Sequence, residues 1–257
     1  MRPITLLVPS SAQLSEDVLR DVLDVARQQT GLNLTAARLS SPALLPQIFE
    51  RSPGVIAWAP SSVAFVLERM HLAASLLTVV APGAGLRSAV LVARLGVEGL
   101  ADLAGRRVAW VSRFSTTGYD LPRLYLESFG VEPDGLFGGQ RFCGSHLAVA
   151  GALARGEVDV GALHSRALRH VFDRMAARVL VSIGPVPADV VVAGPGVPAA
   201  ICEGLVRGLH STRVGPLHFG YARDGHLDLF GMLHRHASTL EDRSLPARAE
   251  TVAVPLH

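Results

Sequence analysis

The chain has 257 residues, 49% of them hydrophobic, and a formal net charge of +2. That length supports one or two domains with a sizeable core, and that composition excludes a disordered chain. Basic and acidic residues are interspersed, which argues against a nucleic-acid partner, and no apolar run reaches the roughly 18 residues of a membrane-spanning helix.

Ile4–Val8 reads as a first strand, too short for the apolar core of a secretion signal. The sequence as it stands therefore reads as cytoplasmic, or as periplasmic if a leader has been removed. Ser15 is a helix cap, with Glu16 and Asp17 in the first turn, where negative charge suits the dipole. Val18, Leu19, Val22, Leu23 and Ala26 form one apolar face, and Gly31 marks the stop. Leu32–Leu39 is the next strand, and Ser41-Pro42 opens a short helix through Ile48. Gly54–Ala59 is continuously apolar and bounded by Pro and Gly, as in a strand buried on both faces. Pro60-Ser61-Ser62 leads into a helix, Val63–Met70, followed by strands Leu76–Val80 and Ser88–Arg94.

The alternation then restarts. Gly99–Leu103 is a short helix, Arg107–Ser112 a strand, and a helix lies around Tyr119–Phe129. Gly135–Cys143 holds a loop and a short strand, Leu147–Ala154 a helix, and Val158–Leu163, Val179–Ile183 and Asp189–Ala193 are strands. Pro198 starts a helix to about His210, and the remainder is less regular. Alternating strands and helices imply an α/β fold. Ser88–Arg94 and Asp189–Ala193 are taken as crossings between two sheets. They divide the chain into a discontinuous lobe, 1–87 with 191–257, and an inserted lobe, 88–190.

Ser112-Arg113-Phe114-Ser115-Thr116-Thr117-Gly118 follows a strand and opens a helix. The Ser115, Thr116 and Thr117 hydroxyls would join free N–H groups there, which suits an anion; the alternative is a plain helix cap. Ser61 and Ser62 repeat that arrangement, with capping again the alternative. His146, beside Gly144-Ser145, would donate to an anion or change charge near neutral pH. Asp189 opens an apolar strand and needs a partner or solvent; it would accept from a protonated ligand oxygen or an amine, or else sit in a surface turn. Ser115, His146 and Asp189 supply the residue types of a hydrolytic triad without a nucleophile-elbow motif. His210, His218, His226, His234 and His236 fit no metal-ligand spacing, although His234 and His236 would share one face of a strand. Cys143 and Cys202 read as buried free thiols, with a disulfide as the alternative. No cofactor motif is present, neither a P-loop nor G-x-G-x-x-G after a strand.

Several segments together resemble phosphate/phosphonate-type ABC transporter substrate-binding proteins. These are Leu100–Ala109, Ser115–Pro122, Gly144-Ser145-His146, Gly156–Ala162, Ile56–Ser62 and Pro187-Ala188-Asp189, in matching order. The resemblance implies the type II periplasmic-binding fold, with two α/β lobes, each a mixed sheet flanked by helices, closing by a hinge on a small anionic ligand in an interlobe cleft. It implies Ser115, Thr116 and Thr117 as oxyanion ligands, His146 beside them, and Asp189 opposite. It also implies an ABC permease as partner; the alternative is a cytoplasmic enzyme or ligand sensor with a pathway protein as partner. Two departures stand out. The family's Tyr near Leu86-Arg87-Ser88 is missing, so Arg87 would offer positive charge there. His164-Ser165 occupies the place of an acidic or amide group. The ligand class stays open among phosphate, phosphonate and related oxyanion-bearing metabolites.

Overall fold

A computed structural model of the protein describes residues 4–9, 14–80, 87–210, 212–239 and 250–253. The chain divides into two compact units: 1–84 with 188–226, and 85–187 with 227–257. Leu86 and the ends of the chain lie outside the described residues.

The first unit is built on a seven-stranded mixed sheet. Ile4–Pro9 lies between Leu34–Leu39 and Ile56–Ala59, parallel to both. Asp189–Ala193 pairs antiparallel with Ile56–Ala59 and with Ala74–Val80, and Leu217–Tyr221 pairs antiparallel with the latter. Arg213–Val214 completes the edge. Helix Glu16–Thr30 starts as the sequence predicts: Ser15 Oγ accepts from Val18 N–H, and Gly31 ends it at φ 68°, a left-handed position that disfavours a Cβ. Its buried face, Leu19, Val22, Leu23 and Ala26, is the predicted one. Val22, Leu23 and Ala26 pack with Leu34, Ile56, Trp58, Leu77, Val191 and Phe219 from the sheet and with Leu205 and Leu209 from helix Ala199–Leu209.

The second unit has a six-stranded mixed sheet. Its central strand Ala89–Arg94 is buried along five of its six residues and runs antiparallel to Val160–His164 and to Ala177–Gly184. Arg107–Trp110 lies parallel to Val160–His164 and to Gly139–Phe142. Val90, Val92, Ala109, Val149, Leu153, Leu163 and Val171 form the core beneath helix His146–Ala154.

Three expectations change. The C-terminal segment does not return wholly to the first unit, because Glu250–Ala253 pairs parallel with Ala177–Gly184 in the second sheet. The stretch read as irregular contains strand Leu217–Tyr221 and helix Asp228–Thr239, so His234 and His236 lie on a helix rather than a strand. The helix expected around Tyr119–Phe129 begins earlier, as a turn over Thr116–Asp120 that runs into Leu121–Glu127.

Candidate functional site

The second sheet gathers its candidate groups at one end. Arg107–Trp110, Gly139–Phe142 and Val160–His164 run parallel, so Ser112–Gly118, Gly144–His146 and His164-Ser165 all leave at the carboxyl ends of these strands. Ala89–Arg94 runs the other way with Ala89 opposite His164, so Arg87 and Ser88 enter at that same end. Ser165 N–H donates to Ser88 O at 2.9 Å, and Ser88 N–H to Ser165 Oγ at 3.2 Å. Ligands of open α/β sheets bind at such an end.

The Ser112–Gly118 loop closes on itself. Val111 N–H donates to Gly118 O at 3.1 Å, and Ser115 N–H to Ser112 O at 3.2 Å. Ser115 is a cap, as the simpler reading has it: its Oγ accepts from Gly118 N–H at 3.1 Å. Its hydroxyl proton is not used in that bond, so capping and donation to a ligand are compatible. Asp120 N–H reaches back five residues to Ser115 O at 3.0 Å, making Thr116–Asp120 a single π turn. Such turns are rare and concentrate at functional sites. Thr116 and Thr117 stand half-buried in it. Gly118 is buried against Val111, and a Cβ there would also stand 2.9 Å from Ser115 Oγ.

The turn is anchored from below. The Tyr119 ring meets Trp110 edge-on at 5.5 Å and Phe142 at 5.5 Å, and the Arg123 guanidinium lies 5.1 Å from its centroid. Arg123 is buried and bonded to Asp134 at 2.7 Å and Glu132 at 3.3 Å, so it is not available to a ligand.

His146 opens helix His146–Ala154 beside its cap Ser145, whose Oγ accepts from Ala148 N–H. Its ring lies 4.0 Å from that of His164, inclined at 45°. His164 N–H donates to His146 Nδ1 at 3.3 Å, and Ala167 N–H to His164 Nδ1 at 3.1 Å. Both Nδ1 atoms are therefore acceptors, and each neutral ring carries its proton on Nε2. Burial, then His164 and Arg87, push the His146 pKa down to about 3. Burial lowers that of His164 too, with Arg87, Arg166 and His170 acting in the same direction. His146 thus stays neutral at neutral pH with its proton on Nε2, which favours the donor alternative over the change of charge. Its Nδ1 is engaged as an acceptor, the reverse of the arrangement in which a triad histidine donates to a carboxylate. His164, which the sequence marks only as a departure from the family pattern, stands beside His146 at the carboxyl end of strand Val160–His164.

In the first unit, Ser61 and Ser62 open helix Ser61–Arg69 directly after strand Ile56–Ala59. Asp189 begins the antiparallel neighbour of that strand and so lies at the same sheet end. The partner its carboxylate required is present: Trp58 Nε1–H donates to Asp189 Oδ2 at 3.0 Å. Asp189→Ala would leave the buried indole N–H without this acceptor and is expected to destabilise the first unit by about 1–3 kcal/mol in urea titration. Asp189→Asn, which keeps a carbonyl oxygen, should lose less.

Cys143, in the second unit, and Cys202, in the first, are free and half-buried. Burial raises both thiol pKa values. Among the described residues no three His, Cys, Asp or Glu side chains converge as a metal site, and no helix is long and apolar enough to cross a membrane.

Comparison with known proteins bears on this arrangement. A family model described as "ABC transporter, phosphonate, periplasmic substrate-binding protein" matches residues 55–215. The chain belongs to this family. Membership favours the binding-protein reading over a cytoplasmic enzyme or sensor. The family is one of periplasmic proteins. Solved structures share its fold at low identity. A Xanthomonas citri protein bound to ATP is 21% identical, with TM-score 0.75 over 93% of this chain and 98% of that one. The methylphosphonate complex of PhnD1 from Prochlorococcus marinus is 16% identical, with TM-score 0.62 over 93% and 99%. A binding-protein component of an ABC phosphonate transporter from Pseudomonas aeruginosa is 19% identical, with TM-score 0.62 over 92% and 86%.

Proposed function

We propose that the chain holds a phosphonate, phosphate or related oxyanion by reversible, non-covalent binding and hands it to an ABC permease. Ser115, Thr116 and Thr117 donate their hydroxyls to the oxyanion, His146 adds its Nε2–H, and Arg87 supplies charge. Ser61 and Ser62 are further hydroxyl donors, while Asp189, engaged by Trp58, orders the first unit's sheet end. The observation that carries this reading is the π turn at a strand's carboxyl end, with three hydroxyl residues at its start and the neutral His146 leaving the same end. Family membership supports the ligand class, and the methylphosphonate bound to PhnD1 supports an oxyanion of that kind.

The test is calorimetric titration of the protein with methylphosphonate, inorganic phosphate and sulfate. At least one should bind, and Ser115→Ala should weaken it by about 10- to 100-fold, since a hydrogen bond to a charged group contributes about 1.5–3 kcal/mol. Absence of binding by all three, or undiminished affinity in Ser115→Ala, would overturn the reading.

A further inference from the structure

We infer that His146, His164 and Arg87 make the oxyanion site of this chain selective against ligands that carry an ammonium group and favourable to ligands that carry a second anionic group. The inference rests on the proposed oxyanion site and names the ligand class it takes.

Three observations carry it. The two imidazoles present donors only, because main-chain N–H groups occupy both Nδ1 atoms. Their rings lie 4.0 Å apart, so the two Nε2–H donors belong to one patch. Arg87, whose positive charge acts on both rings, is half-buried and makes no ion pair with any described residue. Arg166 and His170 add positive potential at His164, and no carboxylate is among the described groups acting on either ring.

An ammonium is a donor without a lone pair. None of the two N–H donors and the guanidinium offers it a lone pair, and the guanidinium is a like charge. A carboxylate or second oxyanion beside the first accepts from His164 Nε2–H, and the guanidinium matches it in a two-point fork. Unpaired donors penalise the wrong ligand more than paired ones reward the right one.

The experiment uses three phosphonates with two-carbon substituents: ethylphosphonate, 2-aminoethylphosphonate and phosphonoacetate, titrated by calorimetry at pH 7.5. Phosphonoacetate should bind tightest, and 2-aminoethylphosphonate should be weaker than ethylphosphonate by about tenfold or more. His164→Asp should raise the affinity for 2-aminoethylphosphonate above that for phosphonoacetate, with His164→Gln keeping the native order. Should His164→Asp fail to fold, Arg87→Glu tests the same reversal. Native protein that binds 2-aminoethylphosphonate as tightly as ethylphosphonate overturns the inference, as does an order unchanged in a folded His164→Asp or Arg87→Glu protein. Absence of binding by all three and by inorganic phosphate removes the oxyanion site itself, and the inference falls with it.

Discussion

Gly118→Val is expected to abolish ligand binding and to destabilise the second unit by about 2–3 kcal/mol. A Cβ at Gly118 overlaps the Val111 side chain, with Val111 Cβ 2.7 Å away and Ser115 Oγ at 2.9 Å. Val111 is buried and receives no help from a flexible neighbour: its own N–H is bonded to Gly118 O and its carbonyl to Gly144 N–H. Relief must therefore come from the π turn, which would open the Ser115 Oγ bond to Gly118 N–H and move Ser115, Thr116 and Thr117 together. The two measurements are affinity for methylphosphonate and urea unfolding followed by Trp110 fluorescence. Trp110 lies in the second unit and Trp58 in the first, so a Trp58→Phe background leaves Trp110 as the reporter of the second unit. Gly135→Ala is the control, because a Cβ there meets nothing within 4 Å. Native-like affinity and stability in Gly118→Val would show that the turn yields freely and does not hold the hydroxyls in place.

The second large effect is an acid limb of stability. His146 is held neutral in the folded chain, with its pKa lowered from 6.5 to about 3. The unfolded chain then takes up a proton first as pH falls. The stabilisation is fully present above about pH 6.5, and it is lost progressively toward pH 3 at on the order of 1 kcal/mol per pH unit. His164 shifts the same way, and the positive groups facing the pair, Arg87, Arg166 and His170, oppose protonation further. Unfolding of the second unit between pH 6 and pH 4 should thus be accompanied by uptake of about one proton or more. His146→Gln should flatten that dependence by about one proton while leaving stability at pH 8 much less altered. An unchanged slope in His146→Gln would mean that the imidazole titrates near its ordinary value.

Much of this architecture is legible in residue order. The apolar run Gly54–Ala59 announces a strand buried on both faces, and the structure places strand Ile56–Ala59 inside its sheet. Ser15, with its two acids, fixes a helix start to the residue because capping is a local bond. The end of the chain carries weaker local signals. Leu217–Tyr221 does alternate, with Leu217 and Phe219 buried and His218 exposed, but histidine and glycine among five residues mask the period. Glu250–Ala253 joins the second sheet through pairing with Ala177–Gly184, and no local pattern specifies so distant a partner.

The site divides along the same line. Three adjacent hydroxyl residues after a strand point to an anion from sequence alone. The π turn does not show there, because the Asp120-to-Ser115 bond depends on how Gly118 seats against Val111. The tautomers of His146 and His164 are equally hidden. They are set by main-chain N–H groups at His164 and Ala167, which face those rings only once strand Val160–His164 and helix His146–Ala154 pack together. A residue type thus named His146 as a ligand, while its charge state needed the fold.

The outer strand of the second sheet has a practical consequence for cutting the gene. A fragment encoding 85–187 carries Ala177–Gly184 but not Glu250–Ala253, the strand that pairs along its outer side. The four residues Val181–Gly184 would then lose their neighbour along that side, leaving an open edge that is a template for pairing with another copy. Such a fragment should oligomerise or precipitate. Grafting 227–257 behind it through a short glycine-serine linker restores the missing neighbour, and that fused piece is the one to express when the second unit is wanted by itself.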